Sequence, residues 1–510
     1  MTVYIGVDIG TTSTKTIAYD EGGRLLAEES AGYDLYSPNP GWAEQDPEEI
    51  FEAVLGTLSG VVEGIGPDNH GEISGVSFST AMHTLMGLDA DGRPLTASIT
   101  YADNRATEQA TRIREEMDGP AIHRRTGTPI HPMSPLTKLL WFRERDLDTF
   151  NRAARWISIK EYVFYRLLGG YVVDYSIASA TGLFNLKNLN WDAGVLEMLG
   201  LPEEKLSRPV PTTHVVEGLN PEYAERLGLD RGTPFVVGAN DGVLANLGLG
   251  ATEPGVVACS IGTSGAVREV VDRPQIDDEL RLFCYALEGD RWVIGGPINN
   301  GGIALQWMQE GLCPDLGAVA REQGRDPYDL MSEMAAGVPA GSGGLIFLPY
   351  LMGERAPHWN ADVSAVFFGL TLAHRREHLI RAVMEGVIYQ MHSVGLALED
   401  VAGEPREVRA TGGFAHSALW RQIMADVFGR EIDFPDSYEG SCWGAALLGM
   451  KALGSIDSLD VAKQMTKIST RHRPDEDSTR TYEELIKIFI RLYGRLEPEF
   501  AAISRFRRSA

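Results

Sequence analysis

The amino-acid sequence predicts an α/β protein made of two related domains with a cleft between them. The chain has 510 residues, which is more than one ordinary hydrophobic core accommodates. A strand–turn–strand pattern with Gly-Thr in its turn occurs at Gly10-Thr11 and again at Gly262-Thr263. Because a pattern repeated at wide separation indicates a repeated structural unit, we expect one such unit in each domain.

The first domain is predicted to begin with three strands joined by short turns, an arrangement typical of an antiparallel meander. Asp46 and Pro47 then have the character of an N-cap and a first helical residue, with an apolar helical period behind them. A buried strand follows the helix. The predicted strands are Val3–Val7, Thr14–Tyr19, Arg24–Ser30 and Ile73–Phe78.

The second domain is predicted to contain a similar hairpin, a further strand and a helix. Its strands are Val256–Ser260, Ala266–Val271 and Glu407–Ala410, and a helix runs from about Ser417 to Phe428. Thr481–Leu496 has the pattern of an amphipathic helix. We place the domain boundary near Ala245–Thr252, which gives domains of residues 1–247 and 248–510.

Composition narrows the classes of function. Apolar residues make up 44% and charged residues 23% of the chain, as in a soluble globular protein. No apolar run reaches the ~18 residues that span a bilayer, and the start of the chain is typical of a strand rather than a targeting peptide. We therefore expect a cytoplasmic protein. The four cysteines lack CxxC spacing, which predicts reduced, buried thiols.

The formal net charge of -25 disfavours nucleic acid and anionic membranes as partners. It leaves an anionic small molecule open as a substrate, because a pocket sets its own local potential. A homodimer is also compatible with the sequence.

The segment Asp8–Lys15 is a candidate phosphate-binding turn. Gly10 allows close approach of a ligand, and Thr11, Thr12 and Ser13 offer hydroxyls and unobstructed backbone N–H groups. Asp8, at the end of the strand, could hold Mg²⁺ through water. An ordinary hairpin with turn-forming residues is the alternative. Neither a Walker A loop nor a dinucleotide fingerprint is present.

Two later turns carry similar chemistry. Gly262 and Thr263 lie in the second strand–turn–strand unit, and Gly412-Gly413 leads into a helix, which leaves room for a base or ribose against the backbone. A simple strand–helix connection is the alternative for the latter. Binding of the two ends of a triphosphate by turns from the two domains would account for this combination.

Asp241 follows an apolar strand and lies among small residues in Gly238-Ala239-Asn240-Asp241-Gly242. A carboxylate in this setting could accept the proton of an attacking hydroxyl. The alternative is a turn aspartate that bonds its own backbone.

The sequence resembles the FGGY family of carbohydrate kinases over essentially its whole length. Two segments carry the resemblance: Ala365–Leu370 followed after seven residues by His378–Glu385, and Met133–Phe142 with Lys138 and Trp141. The resemblance implies two actin-like, ribonuclease-H-like domains. Each has a mixed five-stranded sheet flanked by helices, and ATP and the sugar bind in the cleft between the domains.

The resemblance also implies roles for individual residues. Asp241 is implied as the catalytic base and Asp8 as the Mg²⁺-associated aspartate. The residues implied to bind ATP are Thr11, Thr12, Ser13, Gly262, Thr263, Gly302, Gln306, Gly412, Gly413 and Ser417. Ser417 departs from the asparagine of glycerol kinases.

Three segments are similar to those of gluconate kinases within the family: Ala81–Thr84, Ser98–Arg105 and Gly127–Pro135. They imply contacts to the acceptor sugar from Met82, His83, Tyr101, Arg105 and His131, together with Asp241. The resemblance therefore implies ATP- and Mg²⁺-dependent phosphorylation of D-gluconate to 6-phospho-D-gluconate. Tyr101 departs from the usual tryptophan, and Arg105 could instead pair with Asp103 or with a helix acid.

Two alternatives remain open at this stage. Met82-His83 also matches the pair found in xylulose kinases, so a xylulose kinase or another FGGY sugar kinase is the first alternative. The Arg-Glu pair of glycerol kinases is absent here, which argues against glycerol. A non-catalytic, nucleotide-gated protein of the actin-like fold is the second alternative. Stimulation of ATP turnover by added sugars would distinguish it from a kinase.

Overall fold

The structure is a computed structural model that describes residues 2–66, 73–435 and 440–509. Its strands, in chain order, are β1 Val3–Ile9, β2 Ser13–Asp20, β3 Leu25–Gly32, β4 Glu44–Gln45, β5 Ile73–Thr80, β6 Met86–Leu88, β7 Ser98–Ile99, β8 Arg155–Ile157, β9 Val172–Asp174, β10 Phe184–Asn185, β11 Asn190–Trp191, β12 Arg208–Val210, β13 Val215–Val216, β14 Phe235–Asn240, β15 Val256–Ile261, β16 Gly265–Val271, β17 Phe283–Glu288, β18 Arg291–Ile298, β19 Ile346–Leu348, β20 Val366–Phe368, β21 Glu407–Thr411, β22 Ile432–Pro435 and β23 Ile468–His472.

The α-helices are α1 Pro47–Gly64, α2 Thr107–Glu116, α3 Gly119–Thr126, α4 Pro135–Arg145, α5 Leu147–Arg152, α6 Ile159–Leu168, α7 Tyr175–Ser179, α8 Ala193–Leu199, α9 Pro221–Leu227, α10 Asp241–Gly248, α11 Gly302–Trp307, α12 Pro314–Gln323, α13 Pro327–Ala336, α14 Arg376–Ala402, α15 Ala418–Phe428, α16 Gly440–Ala452, α17 Val461–Met465 and α18 Glu476–Ser509. None of the helices in the described part of the chain is both long and apolar enough to cross a membrane.

Two compact units make up the fold. Unit 1 comprises Met1–Glu253, Val270–Ile294 and Glu439–Thr466, and unit 2 comprises Pro254–Glu269, Gly295–Tyr438 and Lys467–Ala510. Unit 1 therefore includes two chain segments from beyond the predicted boundary near residue 248, whereas all of unit 2 lies after that boundary. The division into domains of residues 1–247 and 248–510 remains a prediction.

Unit 1 is built on a mixed sheet in the strand order β13-β14-β5-β1-β2-β3, so the described strands are six rather than the five expected. The predicted meander is present, since β1–β2 and β2–β3 are antiparallel, while β1–β5 and β14–β5 are parallel. Asp46 caps α1 by accepting the Glu48 N–H at 2.8 Å, as the sequence predicts.

Both faces of this sheet are covered, because successive β1 side chains point to opposite sides. Val3, Ile5 and Val7 pack with the apolar face of α1. Tyr4, on the other face, packs with α16, which comes more than 400 residues later. A Cβ atom at Gly6 would overlap the Cys442 carbonyl, so glycine permits this close approach.

Unit 2 repeats the local plan of unit 1. Its sheet includes the strands β16-β15-β21-β22-β23 in that order. β15 is antiparallel to β16 and parallel to β21, just as β1 is antiparallel to β2 and parallel to β5. The two Gly-Thr turns predicted from the sequence therefore connect equivalent strands. The long helix α14 is buried along much of its length and packs against α13, α15 and β19.

Candidate active site

Asp241 is the first residue of the helix α10, which was not predicted from the sequence. The buried strand β14 ends at Asn240, whose side-chain oxygen accepts the Val243 N–H at 2.8 Å and so caps α10. The Asp241 carboxylate accepts the Gly242 N–H at 2.7 Å and is partly exposed. A carboxylate at a helix N-terminus is stabilised by the helix dipole.

A buried lysine fixes the strand end that carries Asp241. Lys160 Nζ donates to the Val237 and Ala239 carbonyls at 3.1 and 3.2 Å and pairs with Asp174 at 2.6 Å. Burial lowers the pKa of Lys160, while Asp174 opposes that shift. Lys160 bonds two carbonyls of the final residues of β14, immediately before Asn240. This buried lysine therefore fixes the position of the strand end from which Asp241 follows.

His83 has an unusual backbone conformation. It lies in the first of the three segments predicted to contact the acceptor sugar, Ala81–Thr84, Ser98–Arg105 and Gly127–Pro135, which are called the acceptor segments below. The φ of His83 is 68°, in the left-handed region that non-glycine residues seldom adopt. The buried imidazole donates from Nδ1 to the Ala180 carbonyl at 2.7 Å and meets the Tyr285 ring at 6.1 Å between centroids. With Nδ1 donating, Nε2 is an acceptor in the neutral ring and a donor in the cation.

His131 is buried and has the opposite tautomer preference. Its Nδ1 accepts the Met133 N–H at 3.2 Å, so the neutral ring carries its proton on Nε2. The His131 carbonyl accepts the Thr137 hydroxyl at 3.1 Å, which connects this loop to α4.

Lys138 links two of the three acceptor segments. The ammonium is fully buried and donates to the carbonyls of His83, Thr100 and Ile99 at 2.7, 2.8 and 3.4 Å. Burial lowers the pKa of Lys138 to about 7, Asp103 opposes the shift and Arg105 adds to it. Tyr101, which follows Thr100, is partly buried, and Met82 packs at the edge of an apolar cluster.

Arg105 lies in an ion-pair network of the protein itself. Its guanidinium donates from Nε to Asp103 Oδ1 at 2.9 Å, pairs with Glu44, and lies over the Trp42 ring at 3.7 Å. Its side chain is 2% exposed. The pairing with Asp103, kept open as an alternative in the sequence analysis, is thus present, and a contact from Arg105 to substrate remains a prediction.

The first predicted phosphate turn joins β1 to β2. Gly10 N–H donates to the Ser13 carbonyl at 3.0 Å, and Gln45 donates from its side chain to the Thr11 carbonyl at 2.6 Å. Thr12 is exposed. Asp8 is partly buried and accepts the Ser79 hydroxyl at 2.6 Å. A single carboxylate beside exposed turn groups suits Mg²⁺ that takes its remaining ligands from phosphate and water.

A cavity of about 430 Å³ in unit 2 contains most of the residues predicted to bind nucleotide. The predicted residues in its lining are Gly262, Thr263, Gly302, Gln306, Gly413 and Ser417. The backbone joins two of these segments directly, because the Gly302 N–H donates to the Gly262 carbonyl at 2.7 Å.

Gly412 and Ser417 shape the side of this cavity formed by the turn after β21. Gly412 has φ 109°, and a Cβ atom there would overlap the Ile261 carbonyl. Ser417 caps α15 by accepting the Trp420 N–H at 3.2 Å, and its hydroxyl lies 3.1 Å from that of Ser332. Gln306 is exposed and donates to Glu310 at 2.9 Å.

Sequence reasoning missed several residues of the cavity lining. Asp326 caps α13 by accepting the Tyr328 N–H at 2.8 Å, and both residues line the cavity with Asp329 and Ser332. The N-cap signal Asp326-Pro327 was visible in the sequence, but nothing there connected this helix with a nucleotide. Lys160 was missed as well, because its role depends on contacts with residues 77 and 79 positions away.

The fold is that of a two-domain α/β protein, and the match to a family of kinases makes the protein a phosphotransferase. The description "FGGY family of carbohydrate kinases, N-terminal domain" matches residues 3–248, and that of the C-terminal domain matches residues 257–453. The chain belongs to the FGGY family of carbohydrate kinases.

Similar proteins include a gluconokinase of Bacillus subtilis (strain 168), which is 48% identical over 100% of this chain and 99% of the relative. A xylulose kinase of Escherichia coli (strain K12) is 30% identical over 98% and 100%. The solved structure of a gluconate kinase from Lactobacillus acidophilus has a TM-score of 0.92 at 36% identity, covering 98% of this chain and 99% of that one. A ligand-bound xylulose kinase from the same organism has a TM-score of 0.93 at 36% identity, covering 99% and 100%.

Proposed function

We propose that this carbohydrate kinase transfers the γ-phosphate of ATP to the primary hydroxyl of D-gluconate and so produces 6-phospho-D-gluconate. One observation carries the proposal: the chain is 48% identical over its full length to a gluconokinase, against 30% for the xylulose kinase of Escherichia coli. The residues of the acceptor segments are compatible with a linear sugar acid.

The chemical step assigns Asp241 the role of general base. Asp241 accepts the proton of the primary hydroxyl as the hydroxyl oxygen forms its bond to the γ-phosphorus, and the bond from the γ-phosphorus to the β–γ bridging oxygen breaks, releasing ADP. Two features support this role. The Asp241 carboxylate is partly exposed at the first residue of the capped helix α10, and Lys160 fixes the strand that precedes it. Orientation of the hydroxyl accounts for much of the rate enhancement in such a step.

Recognition of the gluconate carboxylate and hydroxyls is assigned to the two buried histidines. His131, with its neutral-ring proton on Nε2, can donate to a carboxylate, while His83 Nε2 can accept from a hydroxyl. Tyr101 and Met82 complete the proposed contacts. Because Arg105 is already bound to Asp103 and Glu44, we assign the carboxylate to His131 before Arg105.

ATP is the proposed phosphate donor and Mg²⁺ the proposed metal. Ile303, Leu305 and Tyr328 in the unit 2 cavity offer apolar and aromatic surface for a base, and Asp326 and Asp329 can accept from ribose hydroxyls. Thr11, Thr12 and Ser13 remain the proposed groups for the terminal phosphates. Asp8 would hold Mg²⁺, which neutralises phosphate charge when it is bound.

Xylulose is the second candidate substrate, because the structure of a ligand-bound xylulose kinase matches this chain with a TM-score of 0.93. The two candidates differ in charge. A site built to pair a carboxylate leaves its donors unpaired when a neutral ketose binds, which costs on the order of 10²-fold in kcat/KM.

The test measures ADP release with gluconate and with xylulose, separately and in competition, with mass analysis of the products. We expect a higher kcat/KM for gluconate and a single phosphorylated product. A higher kcat/KM for xylulose would reject gluconate as the substrate.

Asp241→Asn tests the base in the same assay. Because the amide cannot accept the proton, turnover is expected to fall ~10²–10⁴-fold while ATP binding and the melting temperature change little. Asp230→Asn, at an exposed aspartate of the same unit, is the control and should retain wild-type turnover. Turnover of Asp241→Asn within a fewfold of wild type would remove Asp241 from this role.

A further inference from the structure

The backbone at His83 is strained and must be held by its surroundings. A β-carbon at φ 68° crowds the following carbonyl, which disfavours this conformation for a non-glycine residue. Such conformations persist where neighbouring groups determine them, and they cluster at functional sites. The His83 side chain donates to the Ala180 carbonyl, and the His83 carbonyl accepts from Lys138.

Lys138 is placed to hold His83 and the Tyr101 segment together. An ammonium group has three N–H donors, and the structure gives Lys138 three carbonyl acceptors, those of His83, Thr100 and Ile99. Ile99 and Thr100 immediately precede Tyr101. The Ile99 and Thr100 carbonyls also accept backbone N–H groups, of Leu85 and Asp103, so Lys138 adds to an existing local structure there.

A buried charge with only carbonyl partners is costly, and a hydrophobic residue would fill the same space at less cost. Lys138 lies on the buried face of α4, where Leu136 and Leu139 are also fully buried. A charge retained in such surroundings points to a task beyond packing. The hydrogen bonds indicate that task, because backbone carbonyls from two of the three proposed acceptor segments accept from the single nitrogen of Lys138.

We propose that Lys138 is a positioning residue for the acceptor sugar: its ammonium fixes the strained His83 and the chain entering Tyr101 in the arrangement that binds the substrate. The proposal rests on the proposed function. Lys138 itself is not assigned a contact with the substrate, and it acts through the backbone of the residues that are.

Lys160 provides a matched comparison within the same unit. It is nearly as deeply buried as Lys138 and also donates to two backbone carbonyls, but it pairs with Asp174 as well, and its carbonyl partners belong to the strand that leads to Asp241. A change at Lys138 should therefore alter sugar binding, whereas a change at Lys160 should alter the chemical step. A purely structural role for both lysines predicts the same pattern for both.

The experiment compares Lys138→Met, Lys138→Gln and Lys160→Met with the wild-type enzyme below pH 7, where the Lys138 amine is protonated. The measurements are kcat and KM for gluconate, KM for ATP and the melting temperature. We expect Lys138→Met to raise the gluconate KM at least about tenfold with kcat and ATP KM within about twofold, and Lys160→Met to lower kcat with less effect on the gluconate KM. Lys138→Gln keeps two N–H donors and should lie between Lys138→Met and wild type.

A double-mutant cycle tests whether Lys138 acts through His83. His83→Ala and Lys138→Met should each raise the gluconate KM, and the double variant should raise it by clearly less than the product of the two single effects. Multiplicative effects would overturn the proposal. So would a gluconate KM near wild type in Lys138→Met, the same kinetic pattern in Lys138→Met and Lys160→Met, or failure of both Lys138 variants to fold.

The wild-type assay separates this proposal from the proposed function. If the wild-type enzyme does not phosphorylate gluconate, the proposed substrate fails, and the same variants are then assayed with the sugar that the wild-type enzyme does phosphorylate. A rise in KM for that sugar would keep Lys138 as a positioning residue.

Discussion

The guanidinium of Arg105 lies between an indole ring and two carboxylates. Asp103 is fully buried and Glu44 is largely buried, so both depend on Arg105 for compensation of their charge. The sequence suggested Arg105 as a partner for a substrate carboxylate, and the same bidentate geometry that suits a substrate suits Asp103. Sequence alone could not decide between them, because the deciding contact with Glu44 spans 61 residues.

Arg105→Met is expected to destabilise the protein strongly. Removal of one partner leaves buried carboxylates uncompensated, which typically costs ~3–5 kcal/mol. Urea denaturation followed by circular dichroism provides the measurement. Arg93→Met is the control, because its ion pair with Asp91 is exposed and should contribute ~0–1 kcal/mol. Unchanged stability with lost gluconate affinity would instead assign Arg105 to the substrate.

The turn between β21 and α15 shows how one element limits the unit 2 cavity that is proposed to bind nucleotide. Gly412 must be glycine for two reasons, its φ of 109° and the proximity of the Ile261 carbonyl at the end of β15. The adjacent residue Gly413 lines the cavity. A side chain at residue 412 would therefore push this turn or the end of β15 out of place.

Gly412→Ala is expected to raise the KM for ATP about tenfold or more and to leave the KM for gluconate near wild type, because the acceptor segments belong to unit 1. Steady-state kinetics with each substrate varied in turn provides the measurement. Gly403→Ala is the matched control, since Gly403 also has a positive φ of 86° but no atoms close to its Cβ position. Equal effects of the two substitutions on the ATP KM would contradict the steric explanation.

Elements with strong local signals were predicted well. The strands β1, β2 and β3 lie within two residues of their predicted bounds, and α1 begins at the predicted Pro47, because alternation, turns and an N-cap are local properties. The helix α10 was not predicted, since its small residues after Asn240 favour a turn as readily as a helix. The helix α18 is longer at both ends than predicted and continues past Pro498.

At the scale of the whole molecule, buried ionisable groups make stability depend on pH. Burial raises the pKa of Glu161 and of Glu354 to about 7. Between pH 4.5 and 7 the folded state then holds protons that the unfolded chain has released, so stability falls as pH rises. Lys138, with a pKa of about 7, makes stability depend on pH in the range above 7. Between pH 7 and 10.5 the unfolded lysine is charged while the folded one is neutral, so stability rises with pH.

The wild-type protein should therefore gain stability relative to Lys138→Met as pH increases from 7 to 9.5. The expected gain is about 1.4 kcal/mol per pH unit, or about 3 kcal/mol over this range. Thermal or urea unfolding of both proteins at matched pH values measures it. A stability difference that does not change with pH would show that Lys138 remains charged in the folded state throughout.

The sequence singled out residues that the structure brings together in one cavity. Gly262, Thr263 and Gly302 were selected because glycine and threonine in turns are a local signal, and they line the unit 2 cavity, while their contact with nucleotide remains a prediction. The bonds of Lys138 and Lys160 to backbone carbonyls were not found, because the carbonyl partners of the two lysines lie between 38 and 79 positions away in sequence. Lysine in an apolar stretch gives no indication of which carbonyls it will meet.

The helix α16 has a consequence for the synthesis of the protein. It covers Tyr4, Ile17 and Tyr19 on one face of the first sheet, yet it begins 187 residues after the end of the N-terminal segment of unit 1 at Glu253. At ribosomal rates of roughly 5–20 residues per second, this face stays uncovered for roughly 10–40 s on each nascent chain. The interval is long enough for chaperones to bind there, and a chain released before α16 is made would expose an apolar sheet face prone to aggregation.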